Sequence, residues 1–260
     1  MAEVRRTDHR LCITLVTAGL VVLGGVAVAS SPAPDVVVTG IVDGDTIDVR
    51  VAGDDQRVHL LNVDTPEPGE CVHDKATAFL ELRLPPGSTV TLEYDVEEHD
   101  RFGRVLAGVV EDGTLVNEEI ARNGLGVATL VEPNGRFHDD VLNAQRAAEV
   151  ERLGLFSADI ACTVPAQVRE YRGLVERLED RAGHGTLDGW AATASAAARV
   201  SSVLAEVLAG DDSAFPLLAH AGPTSTLQRE VESYDLRLAD VEVALTAERR
   251  AAEEHVAKSE

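Results

Sequence analysis

Aromatic side chains make up only 3% of the 260 residues, with a single Trp and a single Met. Any core must therefore be built mostly from Val, Leu, Ile and Ala. Positive charge is also scarce: 23 Lys and Arg face 45 Asp and Glu, a formal net charge of −22. That balance excludes a general polyanion binder, because a phosphate backbone would be repelled at long range. A nucleic-acid function would need a local Arg patch, a bridging cation, or both. Lysine stands only at Lys75 and Lys258, a scarcity that reads as coding bias or salt adaptation. Cysteine is limited to Cys12, Cys71 and Cys162. What is present is 45% hydrophobic residues, enough to bury the cores of one or two domains.

The N-terminus has the pattern of an export signal. Arg5, Arg6 and Arg10 precede the apolar run Ile13 to Ala29, and Ala27-Val28-Ala29 offers a small-residue cleavage site. The run is nearly as long as the roughly 20 residues that span a bilayer, so a cleaved signal peptide and an N-terminal membrane anchor (residues 1–30) both stand. Cys12 precedes the run and is not placed like a lipoprotein cysteine. Either form puts the chain outside the cytoplasm, secreted or membrane-anchored, in an oxidising compartment. There Cys71 and Cys162 read most simply as one disulfide. A metal site using Cys71 and His73 has only two ligands within reach.

A Ser-Pro-Ala-Pro linker (31–34) leads into residues 35–162, where strand and helix signals mix. Strands are expected at Val36 to Val42, Thr46 to Val51, Arg57 to Val63, near Val90 to Val96 and at Arg104 to Val110. A turn is expected at Gly53-Asp54-Asp55. A helix is expected over Asp74 to Leu84, with Ala78, Phe79 and Leu82 as its apolar face and the following Pro-Pro-Gly as its stop. A short helix ending at Gly124 and an amphipathic one from Phe137 to Leu153 follow. This order predicts an α+β domain, an OB-like five-stranded β-barrel with helices packed around it. Residues 165–260 carry almost no strand signal. Val168, Tyr171, Val175 and Leu178 follow helical spacing, as do Leu227, Val231, Tyr234, Leu238, Val241 and Leu245. About three helices are expected there, an all-α region forming a small bundle or a coiled coil through which copies of the chain self-associate.

Four short segments of the first domain carry chemistry only when taken together: "VDGDT" (42–46), "VDTPE" (63–67), "DRFGR" (100–104) and "DGTLVNEEIARNGL" (112–125). Separately they read as turns and a capped helix. In this order and spacing they resemble the staphylococcal nuclease-like (thermonuclease) family, over about residues 36–162. The resemblance implies the staphylococcal nuclease-like form of the OB-fold and a Ca²⁺-dependent nuclease that hydrolyses DNA or RNA to products ending in 3′-phosphates. It implies Asp45, Asp64 and the carbonyl of Thr65 as metal ligands, Glu67 as general base on the attacking water, and Arg104 as one of two phosphate-binding arginines. Oxygen donors suit a hard cation, and a guanidinium offers paired donors that never lose their charge. Arg101 and Phe102 match phosphate and ring contacts for the substrate.

The chain departs from that pattern at two places. The second arginine should stand five residues before Asp64, and His59 stands there. Three readings are open. His59 bonds the phosphate as imidazolium; Arg57, two residues back on the same strand face, replaces it; or catalysis is lost and binding kept. Losing one such contact costs roughly 10²–10³ in rate, so altered or reduced activity is expected. The alternative function is an inactive barrel serving as a cell-surface binding or assembly module. The second departure is "GVATLVE" (126–132), which puts Thr129 and Val131 where the family's tyrosines stack on the nucleotide. Residues 35–162 hold 26 acidic and 10 basic residues, a net of −16, which argues against tight binding of long DNA.

Overall fold

The computed structural model describes residues 35–183, 190–209 and 225–259. The expected signal or anchor, the linker, Cys12 and the Pro/Gly-containing loop after residue 210 lie outside the described residues.

Five strands close into a barrel. β1 (Val36–Ile41), β2 (Thr46–Val51) and β3 (Asp54–Leu60) form an antiparallel meander. The two-residue strand β4 (Val63–Asp64) and helix α1 (His73–Arg83) follow. β5 (Thr89–Glu93) pairs with β1, and β6 (Val105–Glu111) pairs antiparallel with β5 and parallel with β3, which closes the ring. The short β7 (Thr114–Leu115), α2 (Val116–Arg122), β8 (Val127–Ala128) and α3 (His138–Glu151) complete this part. It is the α+β barrel with packed helices that the strand order predicts. Alternation along β2 and β3 turns Ile47, Val49, Val58 and Leu60 into the core, each fully buried. The same alternation leaves Thr46, Asp48, Arg57 and His59 on the outer face.

Four local expectations fail. The β2–β3 turn is tighter than expected, because Ala52 (φ 53°) and Gly53 (φ 102°) take the two left-handed positions that match hairpin twist. Asp54 and Asp55 therefore lie in β3. That strand does not run on to Val63: Asn62 adopts φ 62°, and its amide donates to the carbonyls of Thr129 (3.1 Å) and Asn134 (2.9 Å), redirecting the chain into β4. Helix α1 buries Ala76 and Leu80, with Leu84 following in register, while Leu82 is 85% exposed. Of the alternating run 90–96, Val90 and Leu92 are buried, but Tyr94 and Val96 lie beyond β5 and are exposed.

After a single 3-10 turn (Gly154–Phe156) and a short loop come three helices, α4 (Val164–Gly183), α5 (Trp190–Leu208) and α6 (Ser225–Ser259), packed on one another. Val168, Tyr171, Val175 and Leu178 of α4 meet Val231, Tyr234, Leu238, Val241 and Leu245 of α6 in one buried cluster, with Leu227 at its margin. Both periodic stripes are thus consumed inside a single chain as a bundle, and the α6 stripe is not left free for a second copy. At its margin the Tyr171 hydroxyl donates to the exposed Asp235 (2.6 Å), which also accepts from Ser201 (2.7 Å).

Candidate active site

The tight "VDGDT" turn between β1 and β2 puts Asp45 where three segments meet, and its carboxylate is buried at 6% exposure. Oδ2 accepts from both the backbone N–H and the hydroxyl of Thr65, each at 3.0 Å. Oδ1 accepts from the Thr46 hydroxyl at 3.0 Å and faces His59 Nδ1 at 3.1 Å. One carboxylate therefore ties the first motif to the start of the Thr-Pro turn and to the anomalous histidine. The approach is close because residue 44 is glycine: a Cβ there would stand 2.7 Å from the Thr65 hydroxyl and 2.7 Å from the Ala76 Cβ.

Burial alone would raise the Asp45 carboxyl. The hydrogen bond and charge of His59, with the hydroxyls of Thr46 and Thr65, outweigh it and hold the group below the usual carboxylate range. Burial alone would lower the His59 imidazole; its bond to Asp45 and the charge of that carboxylate raise it instead. Arg104 opposes the rise and Asp64 adds to it, so both charges reach His59 through space. Asp43 is half-buried beside Asp45, and burial first and the Asp45 charge second push it up. Sequence reasoning gave Asp43 no role, although the Asp-Gly-Asp doublet was its signal. The site is crowded with like charge of the kind that a hard cation relieves.

Arg104 is positioned from the "DRFGR" hairpin. Asp100 accepts from the Arg104 backbone N–H at 2.9 Å and from its Nε at 2.6 Å. Burial would raise Asp100; the side-chain and backbone bonds from Arg104, then the N–H of Phe102, hold it low. Phe102 stands 70% exposed, with the Arg101 guanidinium 4.7 Å and that of Arg104 5.8 Å from its ring centre. A solvent-facing ring flanked by two cations is a surface on which a base and a phosphate could both rest.

Arg57 shares the outer face with His59 but pairs with Asp48, directly opposite on β2, through Nε (2.9 Å) and a terminal nitrogen (3.2 Å). Asp64 is half-buried, with its backbone paired to Val127 of β8. Glu67 is exposed in the turn that follows, and its N–H donates to the Glu70 carboxylate at 2.8 Å. Cys71 and Cys162 are joined, their Cα atoms 5.6 Å apart. Among the described residues no three His, Cys, Asp or Glu side chains gather as a metal cluster. At a position where the family pattern has a tyrosine, Val131 is 68% exposed beyond the two residues of β8, beside a tight turn closed by the Val131–Asn134 bridge.

The part of the chain that carries this site is similar to known proteins. The family model described as "Staphylococcal nuclease homologue" matches residues 57–158. An uncharacterized protein of Bacillus anthracis is 39% identical over 125 residues, covering 45% of this chain and 58% of that protein. The thermonuclease of Staphylococcus hyicus is 34% identical over 123 residues, covering 45% of this chain and 72% of that enzyme. A prophage-derived endonuclease of Bacillus subtilis is 35% identical over 130 residues, covering 47% of this chain and 44% of that protein. The chain belongs to the staphylococcal nuclease homologue family.

Proposed function

We propose that the chain is an exported, Ca²⁺-dependent nuclease that hydrolyses phosphodiester bonds of DNA or RNA, with a clamp retuned by His59. The observation that carries this reading is the Asp45 carboxylate, which joins Thr65 and His59 within the electrostatic reach of Asp64 and Arg104. Relatives similar to this part of the chain are called thermonuclease and endonuclease, which supports the same chemistry.

Asp45, Asp64 and the Thr65 carbonyl would supply an all-oxygen donor set for a divalent ion, which the crowding of Asp43 against Asp45 favours. When bound, such an ion supplies positive charge to the phosphate and to the oxygens that exchange on it. Glu67 takes the proton of the attacking water, its carboxylate being exposed and in no ion pair among the described residues. Arg104, oriented by Asp100, donates to the phosphate oxygens as charge builds on them. His59 has its Nδ1 turned to Asp45 and Thr46, so Nε2 is the nitrogen that donates to the substrate. Arg57 is held by Asp48 and is the weaker claimant to that role. Phe102 and Arg101 receive the neighbouring nucleotide. The net charge of −16 over residues 35–162 favours short or flexible substrate segments over long duplex.

The test is digestion of supercoiled plasmid and of RNA, with Ca²⁺ or with chelator, by wild type, Glu67→Gln and His59→Arg. Chelator-sensitive cleavage that Glu67→Gln lowers by about 10²-fold or more is the expected outcome. Absence of chelator-sensitive cleavage, with no gain from His59→Arg, would overturn the reading.

A further inference from the structure

The turn from Thr65 to Val72 carries Glu67, and one of its attachments leads out of the barrel to the helical bundle. We propose that the Cys71–Cys162 disulfide, with Glu70 and His73, positions Glu67, and that opening this bond with a dithiol slackens the turn and slows the reaction. The inference rests on the role of Glu67 proposed above.

The Glu67 side chain enters no ion pair among the described residues, so its placement comes from the backbone that bears it. That backbone is tied along its length. Asp45 holds Thr65 at one end. His73 Nδ1 lies 2.7 Å from the Pro66 carbonyl, and Glu70 brackets Glu67, accepting from its N–H at 2.8 Å and donating to its carbonyl at 2.9 Å. At the other end Val72 is buried with φ 75°. A β-branched residue is strained in the left-handed region and stays there only where its surroundings over-determine it. The disulfide is its immediate neighbour in the chain.

The far end of that bond is a firm post. Cys162 directly precedes Thr163, which is 1% exposed and whose hydroxyl bonds the Ser157 and Ile160 carbonyls. The same hydroxyl accepts from the Ala166 N–H at 3.3 Å, capping α4. The turn bearing Glu67 is thereby fastened to the first turn of the helical bundle. Cys162 is exposed and Cys71 half-buried, so an external thiolate meets the Cys162 sulfur first. Attack there forms a mixed disulfide and expels the Cys71 thiolate. The second thiol of the reagent then closes its own ring disulfide and releases Cys162, so two electrons pass to the protein.

The experiment uses the full chain, oxidised or treated with dithiothreitol without denaturant. It follows amide hydrogen exchange across residues 65–72 alongside kcat and KM. Reduction is expected to speed exchange there by about tenfold and to lower kcat by about 10- to 100-fold, since small misplacement of a reacting group has such effects. KM should stay within about twofold and reoxidation should restore kcat. The double variant Cys71→Ala/Cys162→Ala, its folding checked by circular dichroism, should be slow and indifferent to dithiol. Unchanged exchange in 65–72 on reduction, or a change in KM with kcat constant, overturns the proposal. If the oxidised chain cleaves nothing, the nuclease reading fails and exchange alone decides whether the disulfide holds the turn.

Discussion

Replacing Gly44 by alanine tests the site through one methyl group. The added Cβ would stand 2.7 Å from Ala76 Cβ, 2.7 Å from Thr65 Oγ1 and 2.9 Å from Thr65 Cβ. Ordinary carbon contacts begin near 3.5 Å, so the neighbours must yield by about 0.8 Å. Neither has a flexible end with which to yield: Ala76 is fully buried in α1, and Thr65 is β-branched and 3% exposed. Over-packing of this kind costs about 1–3 kcal/mol. At roughly 2–4 °C per kcal/mol for a chain of this size, the melting temperature should fall by about 2–12 °C. Activity should suffer more, because Thr65 makes two of the hydrogen bonds that hold Asp45. A displacement near 1 Å in such a site costs about 10²-fold in rate. The control is Gly40→Ala, where an added Cβ meets nothing within 4 Å. Thermal melts and plasmid cleavage, run side by side on both variants, make the comparison. If Gly44→Ala melts with the wild type and cleaves within about twofold of it, the account of how Thr65 and Asp45 are held is wrong.

Other expectations follow from single contacts. His59→Arg restores a guanidinium with paired donors at the clamp, and cleavage should rise by about tenfold or more; a fall would mean the site is adapted to the imidazole. Asp48→Asn frees Arg57 from its only bidentate partner among the described residues, and should lower KM for a short oligonucleotide at low salt but not at high salt. Asp100 is held below its ordinary value of 3.8, so the stability it contributes is fully present above that pH and is lost as pH falls through its folded value. Melting curves between about pH 5 and pH 2 should therefore show a shallower acid slope for Asp100→Asn, and equal slopes would refute the Asp100–Arg104 pairing. Tyr171→Phe removes the hydroxyl that donates to the exposed Asp235 carboxylate and should destabilise the bundle by about 0.5–1.5 kcal/mol in urea unfolding; no change would mean that Ser201 and solvent satisfy that carboxylate.

Much of the architecture follows from local pattern. Period-two alternation put Ile47 and Val49 on one face and Arg57 with His59 on one face, because successive strand side chains must face opposite ways; the folded barrel buries Ile47, Val49, Val58 and Leu60. Period 3.6 marked both stripes of the bundle, Tyr171 and Leu178 on one helix and Val231 to Leu245 on another. The motifs pointed to Asp45, Asp64, Thr65, Glu67 and Arg104 through the family they resemble, with residue types that suit a hard cation and a phosphate. Other features depend on contacts between distant segments. The face that α1 buries was misread, since Leu82 and Leu80 are equally apolar and only the barrel beneath decides between them. The break at Asn62 arises from carbonyls at residues 129 and 134, far along the chain. The α6 stripe suits a second copy or its own chain equally by spacing, and the packing of α4 and α5 against it decides for its own chain. Asp43 acquires its character from burial beside Asp45, and Arg57 is diverted by Asp48 across a strand pair. Residue type and spacing could name the participants in the site. Only the packing of one segment against another could assign their partners, because burial and charge proximity are properties of the folded chain.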